Sequence, residues 1–182
     1  MELNNKRFIE NEIPKFIGIG RLVDQKNFHL LIKAFNLVQK KNKSKLLIVG
    51  EGYLKNDLIN LTSNLKINDK VKFLHYQNNI QALFKNNTIF VLSSKYEGFG
   101  NVIVEALMHS VPVVSTNCLG GPLEILNNGE YGYIANQNID DLANKMTKML
   151  VDIKKNNINY KKIQNRALNY TVEKIALRYF NF

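Results

Sequence analysis

Six short apolar runs divide the first three quarters of the chain: FIGIG (16–20), KLLIVG (45–50), KVKFLHY (70–76), TIFVLSS (88–94), VPVVST (111–116) and YGYIAN (131–136). They do not alternate apolar and polar as a strand with one wet face does, so each is expected to be covered on both faces. Between them the apolar residues fall at helical spacing, for example Phe28, Leu31, Ile32, Phe35 and Val38. Helices are predicted near 28–41, 53–66, 79–86, 101–109 and 122–127. Strand–helix alternation with doubly covered strands predicts an α/β fold: an open, doubly wound parallel sheet of about six strands with a C-terminal helical tail.

After Asn136 the pattern is helical only. Asn138 or Gln137 is placed to cap a helix carrying Ile139, Leu142, Ala143, Met146, Met149 and Leu150, a stripe that reads as core. Thr171 is placed to cap a last helix, VEKIALRYF. The predicted organisation is a lead-in over 1–14, one α/β domain over 15–153 and a helical tail over 154–182.

The 182 residues are 45% hydrophobic, enough for one core, and include no apolar run long enough to span a bilayer. MELNNKRFIENEIPK has no apolar leader, and the single cysteine, Cys118, has no intrachain partner. Both features suit a cytoplasmic protein. The net charge of +10 invites a nucleic-acid or membrane reading. Much of it sits in clusters, Lys40-Lys41-x-Lys43, Lys154-Lys155 and Lys161-Lys162, which read as solvated surface. Together they suit weak peripheral contact with anionic lipid at the inner face of the cytoplasmic membrane. No helix-turn-helix, zinc or RNA-motif signature accompanies the charge, and no nucleic-acid partner is expected.

In an open parallel sheet ligands bind beyond the carboxyl ends of the strands, and here the loops at that edge are GRLVDQKN, GEG, SSKYEGFGN and TNCLGGP. Arg21 and Lys26 can converge on one anion. Gly98 and Gly100 permit a tight turn into a helix near Asn101, so free N–H groups of residues 100–103 would meet an anion at the positive end of the dipole. Glu105 lies one turn beyond Asn101 on the same helical face, where it can accept hydrogen bonds from hydroxyls beside a bound phosphate. Glu97 precedes the helix and serves another part of the ligand. One acid for each of two hydroxyl-bearing groups suits a nucleotide sugar.

EGFGNVIVE resembles the E-x7-E motif of the family-four, or "group 1", retaining glycosyltransferases, which have two Rossmann-like halves (GT-B). FIGIGRLVDQKNFHLLIKAF, LLIVGEG, EALMHSVPVVST, GGPLEIL and GYIA follow that family's order, and the resemblance spans nearly the whole chain as the C-terminal, donor-binding half. It implies that Arg21 and Lys26 bind the donor diphosphate, supported by backbone around Gly98, Phe99, Gly100, Asn101 and Val102. Glu105 would bind ribose, and Glu97, the catalytic residue, would contact the transferred sugar. Gly50, Glu51 and Gly52 would border the donor, and His75 and Tyr76 the base. Asn27 and Ser110 stand where the family often has glycine; asparagine tolerates the left-handed conformation, and Ser110 costs a little stability.

The implied function is transfer of a sugar, with retention, from a nucleoside-diphosphate sugar, expected to be uridine-linked, to a growing surface polysaccharide, lipopolysaccharide or lipid-linked glycan. No cofactor and no metal is expected. The chain has no Asp-x-Asp, His29, His75 and His109 lack metal-ligand spacing, and Asp140-Asp141 reads as first-turn helix acids. The family's N-terminal acceptor-binding half is expected to be absent from this chain, which would be a fragment, a split-gene product or a subunit completed by another chain, inactive alone. The alternative is a non-catalytic nucleotide-binding remnant or regulatory module.

Overall fold

The computed structural model describes residues 9, 12–171 and 174. Six strands, β1 (Lys15–Ile19), β2 (Lys45–Val49), β3 (Val71–Leu74), β4 (Thr88–Leu92), β5 (Val113–Thr116) and β6 (Tyr133–Ala135), form one parallel sheet in the order β3-β2-β1-β4-β5-β6. Each matches an apolar run of the sequence. The helices are α1 (Phe28–Lys41), α2 (Lys55–Asn64), α3 (Asn101–Met108), α4 (Gly121–Ile125), α5 (Ile139–Lys154) and α6 (Tyr160–Ala167). The fold is the Rossmann-like, doubly wound α/β sheet expected from the sequence.

In β1, β4 and β5 continuous apolarity has the cause assigned to it, whereas the edge strands β3 and β6 are covered only in part and Lys72 of β3 is exposed. Successive strand residues point to opposite faces, and the sheet has a core on each side. Phe16, Ile89, Val91 and Val114 face a core completed by α1, α2 and α5, while Ile17, Phe90, Leu92 and Val113 face one completed by α3 and α6. β4 is buried at all five positions. A fully buried Phe or Ile side chain contributes about 1.5–3 kcal/mol, so neither face could be left wet.

Asn27 has φ 47° and ψ 48°, the left-handed region, and its side chain caps α1 by accepting from Leu30 N at 3.4 Å. Ser110 also turns left-handed, at φ 54°. Asn138, not Gln137, caps α5, accepting from Asp141 N at 2.9 Å. The helix expected near 79–86 is a single 3-10 turn, Ile80–Leu83. Phe84 leaves the helical region at ψ 58°, because the chain must already turn toward β4. α6 lies against α3 with Ile163 and Ala167 buried, and Arg166 donates to the carbonyls of Glu124 and Ile125 at the end of α4. Thr171 Oγ1 accepts from Lys174 N at 3.4 Å; the rest of the predicted helix VEKIALRYF, and most of the 1–14 lead-in, lie outside the described residues.

Candidate functional site

Strand order reverses between β1 and β4. β1 pairs with β2 over its full length, to Ile19–Val49, but its ladder with β4 ends at Ile17–Phe90. Past that point the two strands part, and a crevice opens at the carboxyl edge where an open parallel sheet binds its ligands. The loops after β1 and β4 meet over it. Lys95 N donates to Gln25 O at 2.8 Å, Gln25 Nε2 to Tyr96 O at 3.0 Å, and Ser93 Oγ to Lys26 O at 2.8 Å.

Two predicted residues come into direct contact here. Lys26 Nζ lies 2.6 Å from Glu97 Oε1, with side-chain exposures of 18% and 8%. The same oxygen accepts from Ser94 Oγ at 2.5 Å, and Ser94 is fully buried. Arg21 is on the same loop as Lys26, exposed and with no side-chain partner among the described residues.

Gly98 is open, with no atom near the place of a Cβ, and Gly100 enters α3 at φ 92°. The donor set at this helix end is smaller than the sequence suggested. Ile103 N already donates to Gly100 O at 2.8 Å, a tight first turn that uses up one of the N–H groups expected to be free. Those of Asn101 and Val102 have no acceptor among the described residues. Glu105 is exposed on the flank it shares with Asn101, its carboxylate without a partner among the described residues. Partial desolvation raises its pKa above the ordinary glutamate value of 4.5.

The loop after β2 is sewn to the loop after β1 by main-chain bonds, Gly20 N to Val49 O at 3.0 Å and Leu22 N to Glu51 O at 2.7 Å. A Cβ on Gly50 would lie 1.9 Å from Gly20 O, so only glycine allows that approach. Gly52, Glu51, His75 and Tyr76 are exposed along this edge. Glu51 Oε1 is 2.9 Å from His75 Nδ1, a contact that lowers the Glu51 pKa. The loop after β5 is tied to the Glu97 segment in the same way, Glu97 N donating to Leu119 O at 2.9 Å and Gly121 N to Gly98 O at 3.1 Å. A Cβ on Gly120 would fall 1.8 Å from Glu97 O. Phe99 stacks edge-on against Tyr170, centroids 5.5 Å apart.

Cys118 is 1% exposed, and burial, with Glu97 nearby, pushes its thiol pKa up, which makes it a poor nucleophile. His109 packs against Phe84. Among the described residues no three of His, Cys, Asp and Glu gather as a metal set. Sequence reasoning missed Ser94, whose only local signal was the serine pair ending the apolar run of β4. It also missed Tyr53, whose hydroxyl donates to Asp24 Oδ2 at 2.5 Å across the first two loops.

A parallel sheet in this order, with glycine-bearing loops and an ion pair at its switch point, defines a Rossmann-like domain, the class from which the two halves of GT-B glycosyltransferases are built. The chain belongs to the glycosyl transferases of group 1, whose family model matches residues 2–166. It is 35% identical over 164 residues to a Campylobacter jejuni enzyme named N-acetylgalactosamine-N,N'-diacetylbacillosaminyl-diphospho-undecaprenol 4-alpha-N-acetylgalactosaminyltransferase, covering 89% of this chain and 44% of that protein. Among solved structures it is similar to a variant of Staphylococcus aureus TarM crystallised with UDP, at TM-score 0.82 and 27% identity over 96% of this chain and 38% of that one. It also matches the catalytic domain of the Helicobacter pylori cholesterol-alpha-glucosyltransferase, at TM-score 0.78 and 25% identity, covering 88% of this chain and 100% of that one. The chain thus spans less than half the length of the Campylobacter and TarM proteins. Among the described residues no helix is long and apolar enough to cross a membrane.

Proposed function

We propose that this chain is the donor half of a transferase that moves a sugar from a nucleoside diphosphate, uridine diphosphate in the first instance, to a surface polysaccharide, lipopolysaccharide or lipid-linked glycan, with retention. The observation that carries it is the pairing of Lys26 with Glu97 in the switch-point crevice, beside the open N-terminus of α3. Two relatives support it: the undecaprenol-linked acceptor in the name of the Campylobacter enzyme and the UDP bound to TarM.

In this function Arg21 and Lys26 hold the diphosphate, and the N–H groups of Asn101 and Val102 face its oxygens. These groups sit where negative charge grows as the sugar–phosphate bond breaks, the arrangement that stabilises a departing anion. The donor's charge is met by protein groups alone, with no metal. Glu97 accepts from hydroxyls of the transferred sugar, Glu105 from those of the ribose, and His75 and Tyr76 border the base. The acceptor is presented by a second half, in this or another chain. The lysine clusters give that assembly weak attraction to anionic lipid.

Calorimetry with UDP at moderate salt tests the assignment. Each charge-assisted contact is worth about 1.5–3 kcal/mol, so Arg21→Ala and Lys26→Ala should each weaken UDP by about tenfold or more. Unchanged affinity in both variants would remove the diphosphate assignment, and displacement of UDP by an oligonucleotide at low salt would favour a nucleic-acid role instead.

A further inference from the structure

The Lys26–Glu97 pair poses a problem for any diphosphate that enters the crevice. The ammonium it needs is already bound to a carboxylate, and that carboxylate is held in place. Glu97 Oε1 accepts from both Lys26 Nζ and the buried Ser94 Oγ. The main chain on either side is fixed as well, since Glu97 N donates to Leu119 O, and Ser93 Oγ pins the carbonyl of Lys26. The Lys26 stem runs over Gly20, where a Cβ would stand 3.2 Å from both Cδ and Cε. The Glu97 carboxylate cannot withdraw without breaking both its bonds, and Lys26 cannot withdraw without leaving that carboxylate uncompensated.

We propose that Lys26, Glu97 and Ser94 form a latch that sets the crevice against a bare nucleoside diphosphate and in favour of the same diphosphate carrying a sugar. The proposal rests on the function proposed above. A diphosphate drawn to Lys26 brings its own negative charge beside a carboxylate that is only 8% exposed, where water screens little. Bare diphosphate offers Glu97 nothing in return, because it has no hydrogen-bond donor near that oxygen. A sugar on the diphosphate does. An ionised carboxylate has about four acceptor sites, and with Oε1 occupied Glu97 still has Oε2 to accept sugar hydroxyls. Glu97 therefore lowers affinity for the diphosphate and restores it for the donor. Once the sugar has been transferred, the product diphosphate again faces an uncompensated carboxylate, and its release is favoured. Ser94 is a positioning residue in this scheme: its hydroxyl keeps Oε1 turned toward Lys26.

The test is a set of calorimetric titrations of UDP, UDP-glucose, UDP-galactose and UDP-N-acetylglucosamine into the 182-residue chain and its variants, with thermal unfolding recorded for each. The latch predicts that Glu97→Gln binds UDP about tenfold more tightly while its preference for the best UDP-sugar over UDP shrinks by at least the same factor. Ser94→Ala should move both quantities in the same direction by about threefold, and it keeps the test open should Glu97→Gln fail to fold. In a Lys26→Ala background Glu97→Gln should lose most of its effect on the preference, because the partners act together. Equal weakening of UDP and UDP-sugar in Glu97→Gln, or unchanged UDP affinity in both single variants, would overturn the latch while leaving the diphosphate site intact. Failure of the unmodified chain to bind any of these ligands would overturn the functional proposal, and the latch with it.

Discussion

Glu105→Gln separates the two parts of the nucleotide that the start of α3 is proposed to hold. Glu105 has no partner among the described residues and sits exposed on its helix, so the substitution should change stability by less than about 0.5 kcal/mol. Its effect on binding then reports only what a ligand gives to the carboxylate. A hydroxyl donating to a charged acceptor is worth about 1.5–3 kcal/mol in a dry site. The exposure of Glu105 takes this toward about 1 kcal/mol, roughly fivefold in Kd. UDP, which carries the ribose hydroxyls, should weaken by that factor. Inorganic pyrophosphate, which has none, should bind unchanged or slightly tighter, because one negative charge near the anion has been removed. Parallel calorimetric titrations of the two ligands into each protein measure this difference directly. Equal losses for both would show that Glu105 shapes the loop, not the ribose contact, and the assignment built on its helical face would fall.

The raised pKa of Glu105 adds a pH signature. Ribose hydroxyls would favour the ionised form and lower its pKa in the complex, so affinity is full above the free-protein pKa and falls as pH drops through it. That fall should begin at higher pH than the 4.5 of an ordinary glutamate allows. The terminal phosphate of UDP has its own titration, at about pH 6, so the measured quantity is the difference between the native chain and Glu105→Gln; identical curves would refute the assignment. Ser110→Gly should stabilise the fold by about 0.5–1 kcal/mol in chemical denaturation, since Ser110 holds φ 54° at a cost glycine does not carry; a loss of stability would contradict that. A polypeptide of these 182 residues, given UDP-sugars and glycan acceptors, should bind donor without turnover. Positioning of acceptor and exclusion of water contribute about 7–11 kcal/mol, and neither is supplied by this half; steady transfer would refute the half-site reading.

The central strands β1, β4 and β5 were legible in the sequence because they are buried on both faces, so apolarity alone marks them, and β4 shows this at all five positions; the edge strands β3 and β6 are only partly buried. Their ends were less legible. The run KVKFLHY reaches Tyr76, but β3 stops at Leu74, which leaves His75 and Tyr76 in the loop after the strand, where the family resemblance places them. The short segment near 79–86 was overread because Ile80, Leu83 and Phe84 have helical spacing, which four residues of 3-10 turn satisfy equally well. At the site, Lys26 and Glu97 could be named separately but not as partners. They are 71 positions apart, and what joins them is the placement of β1 beside β4. Ser94 was hidden for a simpler reason: a serine at the end of a buried strand has no pattern that sets it apart from any other. The occupied N–H of Ile103 escaped because helix-start rules count orphan donors and do not foresee a first turn tight enough to reclaim one.

The sewing of the crevice loops by main-chain bonds also determines how this edge can change. Gly20 to Val49, Leu22 to Glu51, Glu97 to Leu119 and Gly121 to Gly98 are all backbone contacts, so these four seams do not depend on which side chains the rim carries. Tyr53, Tyr76, Tyr96 and Leu119 are between 55% and 83% exposed along that rim. Tyr76, Tyr96 and Leu119 can be exchanged while these seams hold, whereas Tyr53 also ties its loop to Asp24, and a methyl group at Gly50 or Gly120 would force the seams apart. Selection, or a designer, can therefore recut the rim at Tyr76, Tyr96 and Leu119, and with it the surface met by whatever ligand this edge takes, on seams that hold through the exchange.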